Sequence, residues 1–469
     1  MLSRPRRVSM FGPGNNMPTV AAATEGMPPI HGTRPKLRIA SMTSLSFDQR
    51  RDLEMLGRRA LERLQLEKLN RLLAAVLASN KFYSRKLAGC PRGLAGLEEL
   101  AKLPYTVKDE LQPEGGEASA ANLTFPVEAY TRFHETSGTH GRPLVVLDTP
   151  DDWQWWVDCW QFVLDAAEMT PSDRALLAFS FGPFIGFWSA FDAVVARGAL
   201  AIPSGGLGSL ARIELLRTTK ATALFCTPTY ALRLAEVAAE HQINLAQLPV
   251  EKIVVAGEPG GSVPATRARI ERAWDASVVD HAGATEVGPW GFADAEGRGL
   301  HVNETEFIAE FVSVATGTAA NEGELSHLIL TSLGRIGAPV IRYRTGDLVR
   351  PTWSNENAPT SGPNRFLLLE GGVLGRADDM LIIRGMNIYP SAVEQILHGF
   401  PEVVEYRLTA RKRGELDELI VEVEDHLEQP ARIAEELRIR LGLKIKVRAA
   451  PAMSLPRFDG KGRRFVDQR

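Results

Sequence analysis

No run of apolar residues in this chain approaches the roughly 20 needed to cross a bilayer, which excludes a helical membrane span. Cysteine is scarce. Cys90, Cys159 and Cys226 stand far apart, with no CxxC pair and no Cys/His cluster. That excludes a zinc ribbon and a disulfide framework, and a reducing cytoplasm is the expected location. An excess of one charge is also lacking: a net charge of −3 over 469 residues gives nucleic acid or an anionic membrane nothing to hold. A Walker A loop, with its Gly-Lys-Ser/Thr ending, is missing too. What remains, at 44% hydrophobic and 24% charged, is an ordinary globular composition on a chain too long for one core, so two or three domains are expected.

Residues 1–40 are basic and rich in Pro, Gly and Met, with Glu25 the only acid and no hydrophobic periodicity; they are expected to be a disordered extension. The segment lacks the apolar core of a secretory signal, while a transit peptide and a start at Met10, Met17, Met27 or Met42 both fit. Residues 47–88 are amphipathic and helical. Helical and strand-like segments then alternate, with strands expected at 175–181, 199–203, 223–226, 252–256 and 277–280. Alternation of this kind predicts crossover units and a mostly parallel sheet covered by helices. Beyond Glu286 short strands (306–312, 323–331, 341–343, 366–369) predict a β-rich subdomain, and from Asp378 the order strand, helix, two strands, helix, strand predicts a small α+β lobe. The division read from this is 1–40, an N-terminal domain 41–377 and a lobe 378–469, in an α/β fold.

Five loops carry the chemistry. In RFHETSGTHGRP (132–143), hydroxyl residues between glycines let amides and hydroxyls converge on phosphate oxygens, although such a loop alone is usually a turn. DHAGATEVGPWGF (280–292) follows a strand, at the carboxyl edge where ligands bind in open α/β sheets, and its Glu286 is suited to a magnesium ion. In IRYRTGDLVR (341–350), Asp347 offers two acceptor oxygens to a ribose diol. LPRFDGKGRR (455–464) places Lys461 on a loop of small and charged residues near the C-terminus. LGRADDMLIIRGMNIYP (374–390) reads as loop, strand, tight turn and strand, with Arg376, Asp378 and Asp379 at a surface or cleft.

Taken in order, TSGTHGRP, HAGATE, YRTGDL, GRADDMLIIRG and PRFDGKGRR resemble the adenylate-forming acyl-CoA synthetases, and IIRGMNIYPSAVE with the GKGRR ending resembles their phenylacetate-CoA ligase branch, over roughly residues 50 to 469. The resemblance implies an AMP-forming acid-thiol ligase using ATP, Mg2+ and coenzyme A: a carboxylate attacks the α-phosphorus, pyrophosphate leaves, and a thiol then displaces AMP. It assigns Thr136, Ser137, Gly138, Thr139 and Gly141 to the β- and γ-phosphates, Thr285 to the α-phosphate and Glu286 to magnesium. Asp347 is assigned to the ribose with Arg376 beside it, Asp280 to the adenine amino group, and Gly257, Glu258 and Pro259 to the base-pocket wall. Lys461 is implied as the adenylation lysine on a mobile lobe, Asp378 as its hinge and Gly385 as part of the thiol tunnel. His140 stands where the family often has a second Thr, and Ala282 where an aromatic is common.

For the acyl group, FSFGPFIGFW (179–188) suggests a flat apolar slot that suits an aryl acid such as phenylacetate, benzoate or anthranilate. The expected pocket residues are Phe179, Phe181, Phe184, His281, Ala282, Gly283 and Trp290, with His281 or His134 hydrogen-bonding a ring substituent. Three alternatives stay open: a carrier-protein phosphopantetheine as acceptor, a homodimeric assembly, and a nucleotide-binding protein without catalysis.

Overall fold

The computed structural model describes residues 45–113, 119–136, 143–294, 296–353, 364–379, 381–383, 386–413, 416–457 and 464–469. The expected extension 1–40 lies outside them. A nine-stranded sheet runs, edge to edge, through Pro351–Thr352, Leu368–Glu370, Gly299–Val302, Gly288–Ala293, Ser277–Ala284, Lys252–Ala256, Ala223–Cys226, Arg174–Leu177 and Leu200–Pro203. The last five are mutually parallel, as the alternation predicts, and the other four pair antiparallel. The sheet is therefore mixed: once the crossovers end, the short connections after Ala284 can only return as antiparallel neighbours.

The period of two along the parallel strands sorts their side chains between two cores. Ala175, Leu177, Phe225, Val254 and Val279 face one core, with Trp160 and Phe162 from the Pro150–Ala166 helix. Leu176, Leu224, Ile253, Val255 and Val278 face the other, with Leu216, Leu234, Ile270 and Trp274 from the three crossover helices Ser209–Thr219, Pro228–Glu240 and Pro264–Trp274. Local signals start these helices. Thr149 and Thr227 accept the Asp152 and Tyr230 amides, each followed by a proline at the first helical position.

A four-stranded antiparallel sheet (Phe307–Ser313, Ser326–Ser332, Tyr343–Val349, Gly375–Arg376) forms the β-rich part. The strand expected at 341–343 in fact begins at Tyr343 and runs through the RTGDLV motif, with Gly346 at φ +80°, so Asp347 sits on that strand. The C-terminal region packs the hairpin Leu381–Ile383/Met386–Ile388 and helices Pro390–His398 and Pro430–Leu441 on a sheet of Lys446–Ala449, Leu416–Asp425, Val403–Arg413 and Phe465–Asp467. Its core, around Leu408, Val421, Ile433 and Leu437, is a third cluster. The backbone at Ala377–Asp379 is one 3-10 turn.

Candidate active site

The carboxyl edge of the central sheet carries Thr285, Glu286 and residues 257–259, and the β-rich sheet brings Tyr343 against Glu286 there. The Ser277–Ala284 strand ends in a register irregularity between Ala282 and Ala284, and the chain then turns through Thr285 and Glu286 into Gly288–Ala293. An irregularity of this sort re-aims side chains at a sheet end. Glu286 Oε1 accepts the Tyr343 hydroxyl at 2.9 Å and lies 3.8 Å from Lys108 Nζ. Burial beside Glu286 raises the Tyr343 phenol well above its usual range, so it stays a donor. Asp347 pairs directly with Arg376 across the β-rich sheet; Arg376 Nη1 donates to Asp347 Oδ1 at 3.0 Å and to the Thr345 carbonyl at 2.8 Å. Burial raises the Asp347 carboxyl, and the Arg376 guanidinium acts against that rise.

Beneath this edge lies a wholly buried arginine that sequence reasoning missed. Arg335, 0% exposed, donates through Nη1 to the Thr285 carbonyl at 2.8 Å and through Nε to Asp148 Oδ1 at 2.8 Å, with Nη2 2.7 Å from the same oxygen. Asp148 ends the Val145–Asp148 strand, which pairs with Arg132–Glu135 on the near side of the 137–142 loop. Arg335 thus ties the Thr285 loop to the hairpin bearing the Ser/Thr/Gly loop. Burial pushes the Asp148 carboxyl up to about 6 in spite of this cation.

Thr136 closes the base of that hairpin: its hydroxyl accepts the Leu144 amide at 2.9 Å, and its own amide donates to the Leu144 carbonyl. Ser137, Gly138, Thr139, His140, Gly141, Gly385 and Lys461 lie outside the described residues. Gly257 (φ +92°), Glu258 and Pro259 follow the Lys252–Ala256 strand at the same sheet edge, and Glu258 Oε1 accepts the Thr229 amide. Asp280 is turned into the protein. Its Oδ2 accepts the Ser262 hydroxyl at 2.5 Å, its Oδ1 accepts the His281 amide at 3.0 Å, and burial pushes its pKa up to about 6. Asp378 lies in the 3-10 turn after Arg376.

The aromatic segment forms a connected wall. The Phe179 and Phe181 rings lie 4.2 Å apart at a 41° tilt, Phe181 meets Trp188 edge-on at 4.9 Å, and Phe179 meets Phe187. Phe187 contacts Trp160, whose ring lies 4.1 Å from His281. The segment abuts the Arg132–Glu135 strand, where the Glu135 amide donates to the Pro183 carbonyl, and Phe184 is exposed there. Trp290 is not brought to this face: it is 1% exposed and packed in the core, because both faces of its strand are covered. His134 is likewise interior, stacked on Trp153 at 5.2 Å with its pKa pushed down to about 4, so of the two histidines only His281 adjoins the site. Of the missed residues, only Tyr343 carried a signal, inside its motif; Arg335, Lys108 and Trp160 come from segments with none.

Residues 385–469 match the model of the AMP-binding enzyme C-terminal domain. Over 449 residues the chain is 32% identical to the phenylacetate-coenzyme A ligase of Thermus thermophilus, covering 89% of this chain and 99% of that one. It is also 32% identical to the phenylacetate-coenzyme A ligase of Escherichia coli strain K12, covering 87% and 95%. Among solved structures, 2-hydroxyisobutyryl-CoA ligase in the postadenylation state with 2-HIB-AMP matches with a TM-score of 0.82 at 27% identity, covering 90% of this chain and 92% of that one. The same ligase in the thioesterification state matches with a TM-score of 0.66 at 28% identity, covering 89% and 91%.

Proposed function

This chain belongs to the phenylacetate-coenzyme A ligase family, and on that premise we propose that it joins an aromatic carboxylic acid to coenzyme A through an acyl-AMP, releasing pyrophosphate and AMP. The observation that carries the reading is the meeting of Thr285 and Glu286, at the edge of the central sheet, with Tyr343 and the Asp347–Arg376 pair from the β-rich sheet, beside the aromatic wall. Such a site works mainly by positioning and by neutralising charge that develops on phosphate oxygens.

In the first half-reaction a carboxylate oxygen of the acid attacks the α-phosphorus and the bond to pyrophosphate breaks. Thr285 would donate to an α-phosphate oxygen, its main chain held by Arg335. Asp347 would accept from the ribose hydroxyls, with Arg376 limiting its movement. Gly257, Glu258 and Pro259 would flank the base, and Lys461 would bridge acid and α-phosphate. Among the described residues no three His, Cys, Asp or Glu side chains cluster as a metal cage, which suits Mg2+, an ion that keeps waters and phosphates and takes one or two carboxylates from the protein. Glu286 would hold it, and it would supply positive charge at the phosphates. In the second half-reaction the thiol sulfur attacks the acyl carbon and AMP leaves.

We read residues 378–469 as the lobe that moves between these steps, with the 3-10 turn at Asp378 as the joint and Gly385 on the side that approaches the thiol. Support comes from the better match to the postadenylation state than to the thioesterification state of one and the same ligase. The free thiols Cys90, Cys159 and Cys226 support a reducing cytoplasm, and no helix among the described residues is long and apolar enough to cross a membrane. The test is pyrophosphate release with ATP and a panel of phenylacetate, benzoate, anthranilate and fatty acids, with coenzyme A or with a phosphopantetheinylated carrier protein. Turnover of ring acids with coenzyme A is expected; turnover of fatty acids alone overturns the aryl reading, and turnover only with the carrier protein overturns the acceptor.

A further inference from the structure

His281 is 7% exposed, yet only one of its ring nitrogens is satisfied. Nδ1 lies 2.7 Å from the Gly291 carbonyl on the neighbouring strand, and because a carbonyl only accepts, Nδ1 must carry the proton. Burial against Trp160 pushes the ring pKa down to about 4, so at neutral pH Nε2 is left as a bare acceptor. It has no partner among the described residues. It is not one of the sealed, unpartnered polar atoms of the interior, so it opens toward solvent and is free to accept from a bound donor.

The next two positions show where that nitrogen looks out. A Cβ on Gly283 would stand 3.3 Å from His281 Nε2 and 3.1 Å from the Gly288 carbonyl, and Gly283 is exposed to the cleft. With only hydrogens there, the acceptor stays uncovered, and Gly283 itself stands two residues before Thr285 and three before Glu286. Ala282, small where the family often carries an aromatic ring, adds no cover, and Trp160 joins the imidazole to the Phe187–Phe179–Phe181 wall.

We propose that His281 Nε2 is the specificity-determining acceptor of the acyl pocket, and that the substrate is an aromatic acid bearing an N–H or O–H donor, an amino- or hydroxy-substituted acid in place of a plain aryl acid. This rests on the reading of the cleft as an aryl-acid adenylation site. The imidazole accepts from the ring substituent as the Gly291 carbonyl accepts from Nδ1, so the histidine passes a fixed polarity from main chain to substrate. An acid without the donor leaves Nε2 dry and unpaired, and this mismatch sets the discrimination.

The experiment compares kcat/KM for pyrophosphate release across matched acids: benzoate and phenylacetate, their amino and hydroxy derivatives at each ring position, and the corresponding methyl ethers. Methylation keeps the oxygen and removes the proton, so the wild-type enzyme alone reads the donor requirement even where a variant fails to fold. At one ring position the donor-bearing acid is expected to exceed both its parent and its methyl ether by about 10- to 100-fold. In His281→Leu that ratio should fall to within about threefold of one, whereas His281→Gln, which can keep an acceptor oxygen, should retain part of it. Equal use of donor and ether by the wild type, or an unchanged ratio in His281→Leu, overturns the assignment. Absence of turnover with every ring acid overturns the aryl reading itself, and this inference with it.

Discussion

Replacing Arg335 with methionine tests how the two halves of the site are held together. The side chain is 0% exposed and is flanked by Asp148, also 0% exposed, and by the Thr285 carbonyl. Methionine fills similar volume but leaves a buried carboxylate without its cation, a change that costs about 3–5 kcal/mol. The pH dependence follows from the direction of the Asp148 shift. Burial already raises that carboxyl from its ordinary 3.8 to about 6, so its contribution to stability is fully present below 3.8 and is lost as pH rises through 6. Without Arg335 the folded-state pKa climbs further, and the loss continues above pH 6 at up to about 1.4 kcal/mol per pH unit. Urea unfolding followed by tryptophan fluorescence is the assay, since the guanidinium lies 5.4 Å from the Trp156 ring. The gap between wild type and Arg335→Met should widen from pH 6 to pH 8, and adding Asp148→Asn should restore most of the stability. Acyl-AMP formation should fall about 10- to 100-fold as the Thr285 loop loses its anchor. A stability cost below about 1 kcal/mol, or a gap constant from pH 6 to pH 8, refutes the reasoning.

Removing the carboxylate in Asp347→Ala should raise the KM for ATP by about 10- to 100-fold, the value of charged hydrogen bonds to the ribose, with calorimetric binding of AMP as the check; unaltered binding removes Asp347 from the nucleotide site. Lys461→Ala should slow acyl-AMP formation by about 100- to 1,000-fold while thioester formation from supplied acyl-AMP falls far less, as read by pyrophosphate release and by coenzyme A consumption; unchanged acyl-AMP formation withdraws the assignment. Asp378→Pro, by restricting the backbone between Ala377 and Asp379, should impair one half-reaction more than the other in single-turnover assays; equal loss of both counts against a hinge.

Much of the architecture was legible because it depends on local signals. Strands 223–226 and 252–256 carry apolar runs, and the crossover helices Pro228–Glu240 and Pro264–Trp274 carry proline-marked starts, that the tertiary structure simply uses. Asp347 was legible as a site residue in a β context, but the strand expected at 341–343 instead starts at Tyr343 and carries Asp347, passing through Gly346 at φ +80°, an extent that residue pattern alone does not give. Trp290 misled because an aromatic beside a motif reads equally as pocket or core, and only coverage of both strand faces distinguishes them.

What the amino-acid sequence determined by itself is the order of the loops and the chemistry each can offer: hydroxyls, two carboxylates and a lysine, strung along a chain whose periodicities demand a helix-covered sheet. Only the tertiary structure decided which groups meet. Arg335 reaches Asp148 and Thr285 across 187 and 50 residues of chain, and Tyr343 reaches Glu286 across 57, distances over which no periodicity carries information. It also decided the state of His281. Its tautomer depends on a carbonyl on the next strand and its neutrality on burial against Trp160, and neither exists until the sheet has formed and been covered.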